Sequence, residues 1–281
     1  MLKLLHKKLS NQVLSIIYRI EPDLLCSKNT VAWTNLGCWQ KSTDYVDAAT
    51  YLASRLAESV KLNSQDNLLE IGAGYGASLD LWHQDFAVED ISVLELQERC
   101  CHEILQKKHK FVKDVFQQSI FDNKPSDIPK LFDVILSVDA TYHYDLNAYL
   151  NAIQPWLAPH GRVGFHLLVK TDQSLEMGNR DKSISRKLAY AKVDYQKLPT
   201  QDLLIQTLLK QGYQNVQIQD LTEQVLKGFS DYILYQQKNQ WSWRQRYSIG
   251  ALKIYLTAKL CRYLAETQQL QYVQVTAQKI D

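Results

Sequence analysis

Charge of one sign is what this sequence most plainly lacks. It carries 32 Lys and Arg against 30 Asp and Glu, a formal net charge of +2. A dedicated nucleic-acid-binding surface usually shows as a large basic excess, so that class is excluded as a partner. Cysteine is equally sparse in pattern. Cys26, Cys38, Cys100, Cys101 and Cys261 form an odd set without a Cys-x-x-Cys pair, so neither a disulfide framework nor a metal centre is expected. A reducing, cytoplasmic setting suits them best. Long apolar runs are missing too: no stretch reaches the roughly 18 uncharged apolar residues that suggest a membrane-spanning helix. The N-terminus, Met1-Leu2-Lys3-Leu4-Leu5-His6-Lys7-Lys8, has neither the apolar core nor the small-residue cleavage site of a signal peptide. No internal repeat, low-complexity tract or domain-splitting linker is present.

What is present is ordinary in amount and uneven in kind. With 46% hydrophobic and 22% charged residues the chain can bury a sizeable core. Phenylalanine is scarce at 7, whereas there are 16 Tyr and 6 Trp. Tyr and Trp combine an apolar body with a polar tip, which suits walls that must also meet water or a ligand.

Periodicity organises the rest. Apolar residues at helical spacing predict helices at 2–20 and from Thr43 to Val60. Asn67–Ile71 reads as a short buried strand. Strands at Ile91–Glu95, Val115–Ser119, Leu131–Val138 and Arg162–Val169 then alternate with helices at Ala77–Asp85, Glu98–Lys108 and Leu146–Leu157, the last stopped by Pro159 and Gly161. Such alternation predicts an α/β fold with a parallel sheet covered by helices on both faces. Residues 170–199 read as a polar, irregular insertion. A helix from Thr200 to Gln211, a strand at Tyr213–Asp220, a mostly helical stretch from Thr222 to Gln268 and a strand at Leu270–Gln278 complete the chain.

The stretch Leu68-Leu-Glu-Ile-Gly-Ala-Gly-Tyr-Gly-Ala77 is the most informative. Glycines where a strand feeds a helix let the backbone turn tightly and come close to a ligand. Gly72, Gly74 and Ala77 satisfy the dinucleotide pattern, and Glu95 stands about 20 residues on, where a ribose-binding acid belongs. Glu70, two residues before the first glycine, argues the other way. A carboxylate repels a diphosphate and suits a ligand bearing an amino group and a sulfonium.

In these motifs the sequence resembles the class I S-adenosylmethionine (SAM)-dependent methyltransferases. Leu131-Phe-Asp-Val-Ile-Leu-Ser137 is similar to their fourth-strand motif and Leu157-Ala-Pro-His-Gly-Arg-Val163 to the run entering their fifth strand. Asn35-Leu-Gly-Cys-Trp39 resembles the N-terminal segment of their small-molecule branch, which includes cyclopropane fatty acid synthases and sterol and tocopherol methyltransferases. The resemblance implies a Rossmann-like seven-stranded sheet in the order 3-2-1-4-5-7-6 with the last strand antiparallel, helices on both faces and a helical lid. It also implies a helical cover at 1–60 over a catalytic domain at 61–281, with lid insertions at about 170–199 and 222–268.

On this resemblance SAM is the cofactor. Gly72, Ala73 and Gly74 would line its methionine portion, Glu95 its ribose and Leu96 its adenine. Ser119 and Ile120 fall at the adenine edge, although Gln118-Ser119 replaces the usual Gly-Asp pair. Val138 would pass near the methionine through its backbone, Glu70 would organise the loop, and Trp39 would help close the site. Cys38 stands where the branch commonly has Tyr.

The chemistry is expected in Asp139-Ala-Thr-Tyr-His-Tyr144, after the fourth strand. His143 is the natural general base, with Tyr142 and Tyr144 as pocket walls or donors. Asp139 either orients His143 or lies at the loop surface, and His166 reads as a core residue. Leu252, Leu256, Leu260 and Leu264 repeat at i+4 among Lys and Arg, and Trp241 and Trp243 precede them. Such basic amphipathic helices either pack as a lid or touch a membrane surface. The expected partner is thus a small-molecule or amphiphilic acceptor. Two alternatives stand beside methyl transfer: an NAD-type oxidoreductase using the same glycines, and a SAM-binding module without turnover.

Overall fold

The computed structural model describes residues 22–25, 32–122, 128, 130–172 and 181–280. The helix predicted at 2–20 lies outside them. Helix α1, Tyr45–Ser59, starts where the Asp44 carboxylate accepts from the amides of Val46 and Asp47. It buries one stripe from Tyr45 through Leu52 to Ala57. Strand β1, Asn67–Ile71, follows, then α2, Ala77–Phe86; β2, Asp90–Glu95; α3, Glu98–Lys107; and β3, Val112–Gln117. The second half runs through β4, Phe132–Ser137; α4, Leu146–Ile153; β5, Leu157–Lys170; α5, Asp181–Tyr190; and α6, Gln201–Lys210. It ends with β6, Tyr213–Asp220; α7, Gly228–Asn239; α8, Ile249–Thr267; and β7, Leu270–Lys279.

The seven strands form one sheet in the order β3-β2-β1-β4-β5-β7-β6. All neighbours from β3 to β5 are parallel, and β7 runs antiparallel to both β5 and β6. The expected Rossmann-like order is therefore the observed one. Alternating residues serve opposite faces. Leu68, Val134, Leu136 and Tyr272 pack with α1, α2, α7 and α8, whereas Leu69, Ile135, Phe165 and Val273 pack with α4 and α6. Both faces are covered, which explains the near-continuous apolar runs of the central strands. The strand order reverses between β1 and β4, the switch point where open α/β sheets bind ligands beyond the strand carboxyl ends.

Three expectations change. Strand β3 begins three residues earlier than Val115 because Val112 already pairs with Ile91. As an edge strand with few buried side chains, it shows little alternation to read. Pro159 and Gly161 do not stop a helix. Helix α4 ends earlier, at a 3-10 turn over Gln154–Trp156 that contains Pro155. Pro159 and Gly161 instead fall inside β5, where Phe132 pairs with Leu157 but Val134 pairs with Arg162, so several β5 residues bulge out of register. Within 170–199, Asp181–Tyr190 forms α5 where an irregular stretch was expected, because Ile184 and Leu188 bury one helical stripe. The stretch from Thr222 to Gln268 is mostly helical, as expected, in four pieces: a π-helical turn at Glu223–Lys227, α7, a short helical turn at Trp243–Arg246 and α8.

Candidate functional site

The site is built around the turn that leaves β1. Gly72 has φ of +76° and Gly74 +56°, conformations that favour glycine. A Cβ on Gly74 would stand 2.9 Å from Thr34 Oγ1, so the N-terminal segment approaches the loop as closely as glycine permits. The loop amides are used internally. Gly72 N–H donates to the Leu94 carbonyl at 2.8 Å, Gly74 N–H to Glu95 Oε2 at 3.0 Å and Gly76 N–H to the Ala73 carbonyl at 3.0 Å.

Two acids underlie this loop. Glu70 is buried, and its carboxylate accepts from Ser78 Oγ at 2.7 and 2.9 Å and from Trp82 Nε1 at 2.7 Å. Burial lifts its carboxyl to about 7, and the nearby Glu95 adds to the rise. Glu95 is also buried, accepts from the amides of Gly74 and Gln97, and is likewise raised by burial. Every donor to this pair is neutral, and no Lys, Arg or His among the described residues forms an ion pair with either acid.

A cavity opens between this loop and the N-terminal segment. Trp33, Thr34 and Asn35 form one wall, and Glu70, Gly72, Ala73, Ser78 and Val138 the other. Glu70, Gly72, Ala73 and Val138 thus meet at the cavity, with Gly74 and Glu95 joined just behind. Leu96, 43% exposed, and the half-buried Ser119 lie at the neighbouring strand ends. The Ile120 side chain turns into the core beside Ile71 and Leu94, leaving only its backbone for an edge contact.

Trp39 is placed elsewhere. It is not on the cavity wall but stacks on Tyr232 at 4.4 Å, and its amide donates to the Gln224 carbonyl. Gly228 accommodates it, since a Cβ there would lie 2.5 Å from Trp39. Thr34, Asn35 and Ser78 are wall residues absent from the sequence-predicted set. Asn35 stands in the Asn-Leu-Gly-Cys-Trp segment, which was the available signal.

After β4, Thr141–His143 form a 3-10 turn. His143 is half-buried, and its Nδ1 lies 3.4 Å from the Lys192 carbonyl. Burial lowers its pKa, so the ring is neutral at neutral pH. A ring that donates from Nδ1 keeps its lone pair on Nε2, the state a general base requires. Tyr142 packs 4.6 Å from His143 and 6.5 Å from Tyr272. Tyr144 stacks on Tyr149 at 6.0 Å and meets Phe121 edge-on.

Asp139 does not lie at the loop surface, and its carboxylate bonds to groups other than the His143 ring. It is buried, with Oδ2 accepting from Leu36 N–H at 2.7 Å and Oδ1 from Tyr272 O–H at 2.8 Å. His166 is a buried core residue, as expected. Its Nδ1 accepts from Asp139 N–H at 3.2 Å, and burial lowers its pKa to about 3.

This is the Rossmann-like fold of class I SAM-dependent methyltransferases. Solved structures agree. A geranyl diphosphate C-methyltransferase from Streptomyces coelicolor A3(2), in complex with Mg2+, geranyl diphosphate and S-adenosyl-L-homocysteine, superposes with a TM-score of 0.67 at 14% identity, covering 96% of this chain and 98% of that one. The cyclopropane synthase MmaA2 from Mycobacterium tuberculosis gives 0.66 at 15% identity, over 86% and 89%. The [4+2]-cyclase SpnF gives 0.67 at 16% identity, over 96% and 95%. No protein-family model and no curated protein matches the chain. Identities this low establish a shared fold. The neighbours' differing reactions show why chemistry must be argued from the site.

Proposed function

We propose that this protein is a SAM-dependent methyltransferase acting on a small or amphiphilic acceptor. The observation that carries the reading is the pair of buried acids, Glu70 and Glu95, placed at a glycine-loop cavity with only neutral donors. Buried anions without a counter-charge favour a cationic ligand. The same geometry opposes NAD. A diphosphate needs unspent N–H groups at a helix N-terminus, yet the three loop glycines already donate within the protein.

Bound there, SAM would supply an electrophilic methyl group on a sulfonium. Gly72, Ala73 and Val138 would flank its methionine portion, and Glu95 has lone pairs left for ribose hydroxyls. Leu96, Ser119 and Ile120 would border the adenine. Glu70 would hold the loop and offset the positive charge. Displacement at a methyl carbon mainly requires alignment and exclusion of water. The segment from Trp33 to Trp39 would exclude water as the cover, Trp39 acting as the clasp to Tyr232 rather than as a cofactor contact. Residues 170–199 and 222–268 would shape the acceptor pocket. His143, neutral and half-buried, would take a proton from the acceptor where one must leave, between Tyr142 and Tyr144.

The acceptor class gains support from α8. Ile249, Leu252 and Leu256 are 76%, 55% and 47% exposed and share one stripe, opposite the buried Ile254, Ala258 and Cys261. Trp243 and Tyr247 extend this apolar surface. From Tyr232 to Ala265 there is no Asp or Glu, while Arg244, Arg246, Lys253 and Lys259 lie along it. An anionic bilayer complements that rim, whereas a second copy would set like charges face to face. No described helix is long and apolar enough to cross a membrane. The buried free thiols of Cys38, Cys100, Cys101 and Cys261 suit a cytoplasmic location.

The test is transfer of a radiolabelled methyl group from SAM to small and amphiphilic acceptors, comparing wild type with His143→Ala. Loss of general-base assistance should slow transfer about 100-fold or more. Equal labelling would remove His143 as the base, and binding of NADH without binding of S-adenosylhomocysteine would overturn the whole reading.

A further inference from the structure

Asp139 follows Val138, a wall residue of the cavity, and holds φ at +55°, uncommon for a residue with a side chain. Its backbone N–H is spent on His166 of β5. Its carboxylate accepts from two distant places: Leu36 N–H in the segment next to Trp33, Thr34 and Asn35, and Tyr272 O–H on β7. The first of these links the two sides of the cavity, since Leu36 adjoins one wall and Asp139 the other. Asp139 itself leads within two residues into the turn that carries Tyr142 and His143.

We infer that Asp139 is a positioning residue that ties the cover over the cofactor cavity, held by its carboxylate, to the turn bearing Tyr142 and His143, so that seating the cover and aligning the turn are one event. This rests on the reading of the cavity as a cofactor site. The coupling has a physical basis in one residue that holds the cover by its side chain and leads into the turn by its backbone. A carboxylate offers lone pairs to several donors at once, whereas a protonated or amidated group loses acceptor capacity and gains a donor. Change at Asp139 must therefore be felt at Leu36 and Tyr142 together.

Burial raises Asp139 to about 6, against its hydrogen bonds. It is not the only titrating group near these elements: Glu70 on the cavity wall is raised to about 7, and His143, packed on Tyr142, is lowered by burial. The other groups facing Asp139 titrate far away. His166 on β5 is lowered to about 3, with the distant Arg55 contributing. Tyr272 on β7, Cys261 on α8 and Cys38 in the cover are all raised by burial.

The experiment is an NMR pH titration of the ligand-free protein, following the Leu36 amide and the Tyr142 ring. Each signal should carry a component with a midpoint near 6, and Asp139→Asn should remove that component from both while leaving the part due to His143 and Glu70. Loss of the component from one signal alone, or from neither, would overturn the inference. Calorimetry with S-adenosylhomocysteine supplies the second readout. Asp139→Ala should weaken binding about tenfold, while Tyr272→Phe, which spares both the cover and the turn, should stay within about twofold. Equal binding by Asp139→Ala and wild type would also overturn it. If no protein binds S-adenosylhomocysteine, the cofactor reading fails, while the titration still decides the role of Asp139 in the free protein.

Discussion

The acids on the two sides of the cavity are used in opposite ways. Glu70 takes its hydrogen bonds from Ser78 and Trp82, and Glu95 from Gly74 and Gln97, all within the loop and the helices beside it. Asp139 takes its bonds from Leu36 and Tyr272, which are 103 and 133 residues away. The first pair shapes one local loop and leaves negative charge beside a cavity. The third acid joins parts of the chain that no local motif connects. Burial raises all three pKa values, so the shift alone does not separate a ligand-binding acid from a brace. The origin of the donors does.

The largest break in this comparison should come from stability. Asp139→Ala leaves Leu36 N–H and Tyr272 O–H without their buried acceptor, and a loss of about 3 kcal/mol is expected in denaturant unfolding. Glu70→Gln should behave differently. Because the folded carboxyl is raised to about 7 from 4.5, the native state holds more protons than the unfolded one between those values. The stability of the free protein therefore falls as pH rises through that window. At about pH 8, removing the charge should leave the midpoint unchanged or higher. Equal destabilisation by both variants would erase the distinction between brace and binding acid.

A smaller effect is expected far from both acids. Sedimentation should show binding to phosphatidylcholine vesicles only when phosphatidylglycerol is included. Leu252→Glu should weaken that binding about tenfold while leaving the unfolding midpoint in place. Equal binding to both vesicle types, no binding at all, or a dimer in solution that Leu252→Glu dissolves would each refute the bilayer contact.

Legibility in the sequence followed the same local and distant division. The sheet order and the glycine loop could be read because β1, the loop and Glu95 lie within one strand-helix-strand unit, where spacing reflects geometry. Glu70 was visible for that reason. The positions of β3 and β5 were misread where pairing overrode pattern, at an exposed edge and at a bulge. Trp39 lies four residues from Asn35, a cavity-wall residue, but its stack on Tyr232 depends on α7, nearly 200 residues later. Asp139 had no local signature, since its donors come from opposite ends of the chain.

The most direct test of the central claim is the affinity for SAM as a function of pH. In the free protein Glu70 is half protonated at about 7. A cationic ligand favours the ionised form, so binding expels a proton below that pH. Wild-type affinity should rise with pH up to about 7 and then level, and Glu70→Gln should lose that rise. A wild-type affinity that ignores pH, or a variant that keeps the same slope, would contradict the account.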